Sequence, residues 1–262
     1  MVSAKELIVK VIASKHANDF VKRHHYSGKV VQNSSLHFGV FLDGRLRGVM
    51  SFGSPLDKRK VLPLVKGTLW NEMLELNRMA FDDVLPKNSE SRAISIAMKL
   101  IKRNAPHIKW VLSFADGTQC GDGTIYRASG FYLIKIKESK NLVRRSDGVV
   151  IHKMTLESSP TTPRLELNGQ SYYDITQGKY DFNAYVRATN GIIIPGYQLC
   201  YIYLIDKTAK ITVPILPFSE ITKRGASMYK GQPRVTSIDS DASGNQSEEG
   251  GASPTVTLHE SK

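Results

Sequence analysis

Apolar residues run in two periods along this chain, and they divide it into strands and helices before any other property is used. ELIVKVIA (6–13) is short and apolar enough for a strand, and SKHANDFVKRHH (14–25) follows as a helix with Ser14 as its expected cap. LHFGVFLDGRLRGVMSFG (36–53) predicts a hairpin, because Asp43-Gly44 accepts positive φ between two apolar runs. LELNRMAF (74–81) predicts a strand. In SESRAISIAMKLIKRNAP (89–106), Ile94, Ala97, Met98 and Ile101 recur at helical spacing, and Lys102 and Arg103 suit the negative end of the dipole. IKWVLSFA (108–115) is almost wholly apolar, as a strand covered on both faces requires. GTIYRASG then predicts a short helix, and FYLIKIK (131–137) another strand. The order is α/β, with a mixed sheet that is parallel in its middle.

Beyond residue 138 the pattern weakens. VVIHKMTL (149–156) and YQLCYIYLI (197–205) read as strands, the second as the last of the sheet. Residues 139–196 read as a β-rich insertion in the last hairpin, whose aromatic and basic residues suit either DNA contact or plain packing. The expected organisation is one domain over 1–235 and a disordered acidic tail over 236–262.

Charge changes the picture most. The chain carries +12, but the tail holds five acids against one lysine, a net −4, which leaves +16 on the body. Such a body suits a polyanionic partner, nucleic acid above all, although surface lysines alone would also produce it. Two cysteines, Cys120 and Cys200, form no disulfide framework and fit a reducing compartment. No apolar run is long enough for a membrane span and no secretion signal is evident, so a cytoplasmic protein with no membrane partner is expected.

Several stretches carry candidate chemistry. PKNSESRA (86–93) opens a helix after a strand, where free N–H groups and the dipole suit a pyrophosphate. Asn88 or Ser89 would cap that helix, Ser91 has a hydroxyl to donate and Arg92 adds charge, while Glu90 and the lack of glycines favour simple capping. SFADGTQCGDGTIYRASGFY (113–132) places Asp116 at a strand's C-terminal end, where open α/β sheets bind ligands. It has neither the ligand spacing of a calcium loop nor the lysine of a P-loop, and lone Cys120 argues against a closed zinc site and is either an inert or a reactive thiol. Tyr126 is either a packing aromatic or a cleft residue. His24-His25-Tyr26 is either a surface helix end or a source of metal ligands and proton carriers.

TIYRASGF resembles the helix ending in Tyr-x-x-x-Gly-Phe of the Gcn5-related N-acetyltransferase (GNAT) superfamily, and PKNSESRA sits where that fold has its pyrophosphate loop. HHYSGK, NSSLHFGV, LWNEMLELNRMAF, NSESRAIS, SFADGTQCGDGTIYRASGF, YIYLID and TVPILPFS together resemble the Mom DNA-modification proteins of Mu-like phages, across roughly residues 20–230. The resemblance implies a GNAT-like sheet with splayed central parallel strands. It implies a phage-encoded enzyme, acting in the bacterial cytoplasm, that adds a carbamoylmethyl (acetamido) group to adenine N6 of double-stranded DNA and shields it from restriction. It carries functional roles onto Arg78, Ser91, Tyr126, His25, Tyr26 and Asp116.

Carbamoylmethylation joins N6 to an sp³ carbon, so acyl transfer from acetyl-CoA does not yield the product. Either the acyl donor is a related, unusual one or an unreactive carbon is activated, for which iron held by His25, Tyr26 and Asp116 would serve. Arg78, Asn88, Ser91 and Arg92 would then hold the donor, and Tyr126 would act as general acid or donor anchor. A buried site must receive the adenine flipped out of the duplex, and a homodimer is compatible with the sequence. The rival readings are an ordinary acetyl-CoA-dependent N-acetyltransferase and a non-catalytic phage DNA-binding protein on a GNAT scaffold.

Overall fold

The computed structural model describes residues 3–229 and 232–234; the expected tail, 236–262, lies outside them. A 3₁₀ turn, Ala4–Glu6, leads into β1 (Ile8–Val11), shorter than the expected strand because Ser3 and Glu6 form a capping box that holds the first residues in the turn. Helix α1 (Ser14–His24) follows, with Ala13 rather than Ser14 at the cap position and no side-chain capping bond. The hairpin of β2 (Ser34–Leu42) and β3 (Arg45–Gly53) turns on Asp43 and Gly44, both at positive φ. After α2 (Lys58–Val61) come β4 (Met73–Phe81), α3 (Ser89–Asn104), β5 (Trp110–Asp116) and α4 (Thr124–Ala128).

The last hairpin is longer than its apolar runs suggest. β6 (Tyr132–Arg144) and β8 (Ile192–Leu204) pair antiparallel as far as Arg144 with Ile192, so the inserted segment is 145–191. That segment holds β7 (Val150–His152), α5 (Lys153–Ser158), α6 (Tyr172–Thr176) and α7 (Phe182–Ala188), and it is mainly helical, not β-rich. The expected strand over 149–156 stops at His152, whose Nδ1 accepts the Met154 N–H and starts a helix. Ser171 and Asp181 cap the two helices that follow. Tyr172, Tyr185 and Phe182 pack with Val143, Ile151 and Leu156 in a small core of their own, which decides for packing over DNA contact at these aromatics. Helix α8 (Ser219–Lys223), β9 (Met228–Tyr229) and β10 (Gln232–Pro233) close the described chain.

The eight strands of the main sheet run β1-β2-β3-β4-β5-β8-β6-β7, antiparallel throughout except for β4 beside β5. That parallel ladder stops at Leu76 with Ser113. Past this point β4 stays with β3 as far as Phe81, and β5 stays with β8 as far as Asp116. The two central strands therefore part and leave a cleft at their C-terminal ends, the splayed arrangement of a GNAT-like sheet. One face of the sheet is covered by α3 and α4 around Ile94, Ala97, Met98, Ile101 and Tyr126. On the other, α1 packs Ala17, Phe20 and Val21 against Val49 and Ala80. Further along that face, Val65, with Leu62 and Leu64, covers Trp110, Leu112 and Ile202.

Candidate active site

The cleft begins at a β-bulge. Phe52 pairs with Leu76 and Ser51 with Arg78, so Asn77 is the extra residue of β4, placed where β5 departs. Bulges of this kind re-aim side chains beside functional sites. The Asn77 side chain accepts from the Ser34 hydroxyl at 2.8 Å, while its buried Nδ2 has no partner. Arg78 turns back toward α1: Nε donates to the Lys29 carbonyl at 2.9 Å and Nη1 to the Asn77 carbonyl at 2.7 Å. Lys29 in turn reaches Thr155 of α5 at 3.1 Å, so the insertion forms one wall of the cleft.

His25 follows the last turn of α1. Its Nδ1 accepts the Ser27 N–H at 3.1 Å and lies 2.8 Å from the Ser27 hydroxyl, which places the ring proton of the neutral form on Nε2. Burial, then the Arg78 guanidinium, lowers His25 to about 4, so the imidazole is neutral at physiological pH. Tyr26 stacks against it with ring centroids 4.2 Å apart. Half the Tyr26 surface is open, yet its hydroxyl end is enclosed, and burial with Asp116 nearby raises its pKa well above the ordinary phenol value. Cys120, Arg78 and Tyr126 also act on that hydroxyl, so one cluster joins residues spread over a hundred positions of sequence.

Asp116 ends β5. Its Oδ1 accepts the Thr118 N–H at 3.0 Å and Oδ2 accepts from Gln119 at 3.2 Å, so the carboxylate also organises the turn that follows. Tyr126, at the centre of α4, is 7% exposed, packs on Phe131 and Tyr201 at 5.2 Å, and is pushed up to about 12 by burial, with the Ser113 hydroxyl opposing. It is a proton donor held in its acid form.

Two groups that sequence reading passes over belong to the same cluster. Glu75, on β4, is raised to about 7 by burial, with Arg78 opposing. Its place in a strand beside the later-bulged Asn77 left no mark in the apolar pattern. His152 is lowered by burial, with Lys29 acting the same way and Asp116 opposing, so it faces the cleft from the insertion.

The residues expected to hold a donor divide. Asn88, Ser91 and Arg92 line a cavity of about 450 Å³ with Ser95, Lys99 and Ser129, between the start of α3 and the end of α4. Arg78 is not among them; its bonds tie it to Lys29 and to the His25–Tyr26 side. Asn88 occupies the α3 cap position at φ 70 but makes no side-chain capping bond, contrary to the expected capping role. Ser89 donates instead to the Pro86 carbonyl at 2.6 Å and Ser91 to the Asn88 carbonyl at 3.2 Å. An uncapped helix start beside Arg92 and Lys99 is suited to a phosphate-bearing donor. Among the described residues, no three His, Cys, Asp or Glu side chains come together as a ready metal site. No helix among them is long and apolar enough to cross a membrane.

The model of the Mom protein family matches residues 6–220, most of the chain and all of the cleft. The chain belongs to the Mom protein family. The methylcarbamoylase mom of Escherichia phage Mu is 40% identical to this Mom-family chain over 156 residues, 59% of this chain and 64% of that relative's length. Among solved structures, a Bacillus subtilis acetyltransferase in complex with CoA covers 76% of this chain and 98% of its own, at 9% identity and a TM-score of 0.40. A GNAT family acetyltransferase from Elizabethkingia anophelis with acetyl-CoA bound matches with the same coverage and TM-score, at 11% identity. These two superpositions are too loose to bear on mechanism.

Proposed function

We propose that this Mom-family protein is a GNAT-like transferase that adds a carbamoylmethyl group to adenine N6 in double-stranded DNA, and that the modified DNA resists host restriction. The reading is carried by the family match across the whole cleft, together with the likeness to a methylcarbamoylase. The geometry supplies acid and base. Glu75, titrating near 7, takes the proton that N6 loses as its new bond to carbon forms, and the Tyr126 phenol donates to the leaving group. The adenine enters flipped from the duplex, and the basic body grips phosphate without regard to sequence. The α3 cavity takes the phosphate-bearing arm of a coenzyme A-type donor.

Attachment through an sp³ carbon still requires a reactive carbon on the donor. His25, Tyr26 and Asp116 offer a neutral imidazole and two hard oxygen ligands, which fit non-haem iron. His25 Nδ1 accepts the Ser27 N–H at 3.1 Å, which fixes the orientation of the ring. Bound there, iron would supply one-electron activation of an otherwise inert carbon. The place of action is the cytoplasm of the phage's host.

The test is co-expression with a plasmid, digestion of the DNA to nucleosides, and mass analysis for an altered deoxyadenosine. An acetamido-bearing deoxyadenosine is expected, and resistance of the plasmid to restriction enzymes with it. Unmodified DNA from well-expressed, folded protein overturns the reaction, and full activity of metal-free protein in chelator overturns the iron.

A further inference from the structure

An aromatic side chain lies open on the face of a central strand, where a sheet normally buries one. β5 is flanked on both sides, by β4 and β8, yet Phe114 is 38% exposed. Its neighbours Ser113 and Ala115, pointing to the other face, are buried. The sheet register shows why Phe114 is bare. Phe114 is opposite Cys200, and Cys200 is opposite Lys135; one step further, Asp116 is opposite Gln198 and Gln198 opposite Lys137. Side chains in such rows share a face. The cover over Trp110, Leu112, Ile202 and Leu204 reaches Cys200 in the first row and stops short of Phe114, and α1 packs on β3 and β4 through Val49 and Ala80. Between the two covers is a recess whose floor is Phe114, with Lys135, Lys137 and Gln198 exposed beside it.

The recess opens onto the reacting groups. Asp116 is in its second row, and Glu75 and Lys135 both act on Cys200 in its first. Tyr26, just after α1, and His152, in the insertion, both interact with Asp116. A flat apolar surface next to two cations and an amide suits a planar base carried on a phosphate chain. Stacking of a base on an aromatic ring needs only its face, while lysines neutralise the flanking phosphates.

We infer that Phe114 is the shelf on which the flipped acceptor base stacks, with Lys135 and Lys137 holding the phosphates on either side of it. The inference rests on the adenine-modifying reading for the identity of the base. It places N6 toward Glu75 and the cleft, and it makes Phe114 a specificity-determining residue.

The experiment compares wild type, Phe114→Leu and Phe114→Trp, each checked for an unchanged melting temperature. Binding is measured to a short labelled single strand of deoxyadenosines and to the same strand with one central abasic site. The wild type and the Trp variant should prefer the intact strand by roughly tenfold, and the Leu variant should lose most of that preference, as base–aromatic stacking predicts. Modification of plasmid adenine should follow the same order. A Leu variant with wild-type preference, or a Trp variant as poor as Leu, overturns the shelf. A wild type that leaves DNA unmodified but keeps a Phe114-dependent preference overturns the reaction and leaves the shelf standing.

Discussion

Glu75→Gln separates what the cleft does for catalysis from what it costs the fold. Burial raises the Glu75 carboxyl from 4.5 to about 7. Between those values the folded protein keeps a proton that the unfolded chain has already released. Stability is therefore full below the unfolded value, falls as pH rises through the window, and is level above 7. A shift of that size corresponds to about 3 kcal/mol as an upper figure, and solvent at the half-buried group brings the expectation to about 1–2 kcal/mol. Glutamine keeps the shape and cannot ionise. Relative to wild type, the variant should thus gain about 1–2 kcal/mol between pH 4 and pH 8, while losing the proposed base for the N6 proton. Urea unfolding of both proteins at intervals across that range is the assay, because the difference between them cancels other groups. His25 is one such group. Its lowered pKa removes stability as pH falls from 6.5 toward 4, in both proteins alike. A stability difference between wild type and variant that stays constant from pH 4 to pH 8 would refute the buried, proton-holding Glu75 on which its role as base depends.

Tyr126→Phe removes only a hydroxyl from a ring packed between Phe131 and Tyr201, so the melting temperature should hardly move while adenine modification falls on the order of 100-fold, the usual contribution of a positioned acid. Retained modification, read by nucleoside mass analysis, would return Tyr126 to a packing role. Gly123→Ala tests the turn before α4: Gly123 is at φ 77, and an added Cβ would lie 2.6 Å from the Tyr201 ring. Backbone strain and that clash together should lower stability by about 3 kcal/mol in urea unfolding, where a neutral result would refute the turn geometry.

The fold was legible wherever burial imposes a period. The hairpin at Asp43-Gly44, the apolar β5 and the stripe of Ile94, Ala97, Met98 and Ile101 all reappear as elements. Errors fell where side chains close local hydrogen bonds, which periodicity does not register. The capping box at Ser3 and Glu6 shortens β1, and the His152 ring turns an apparent strand into α5. Arg145 was invisible for the same reason. It is 5% exposed and anchors the insertion by donating to the Leu165 and Glu166 carbonyls at 2.7 and 3.1 Å.

The site was legible as motifs but not as a neighbourhood. Asp116, His25 and Tyr26 were marked by chemistry at an element's end and Tyr126 by its motif, and the structure draws them into one electrostatic cluster. Glu75 and Phe114 sit inside strands, where a carboxylate or a phenyl ring reads as ordinary alternation. Their proposed roles depend on the parting of β4 from β5 after Leu76 and Ser113, which leaves Phe114 bare and lies one residue beyond Glu75. A strand residue's exposure depends on where its neighbour in the sheet stops pairing, and that neighbour is some forty residues away in the chain. The same parting that opens the cleft to a donor from the α3 side leaves Phe114 bare on the other. On the proposed reading, donor and acceptor would approach the bulge at Asn77 from opposite faces of the sheet, with Tyr126 on the α3 face and Glu75 on the other.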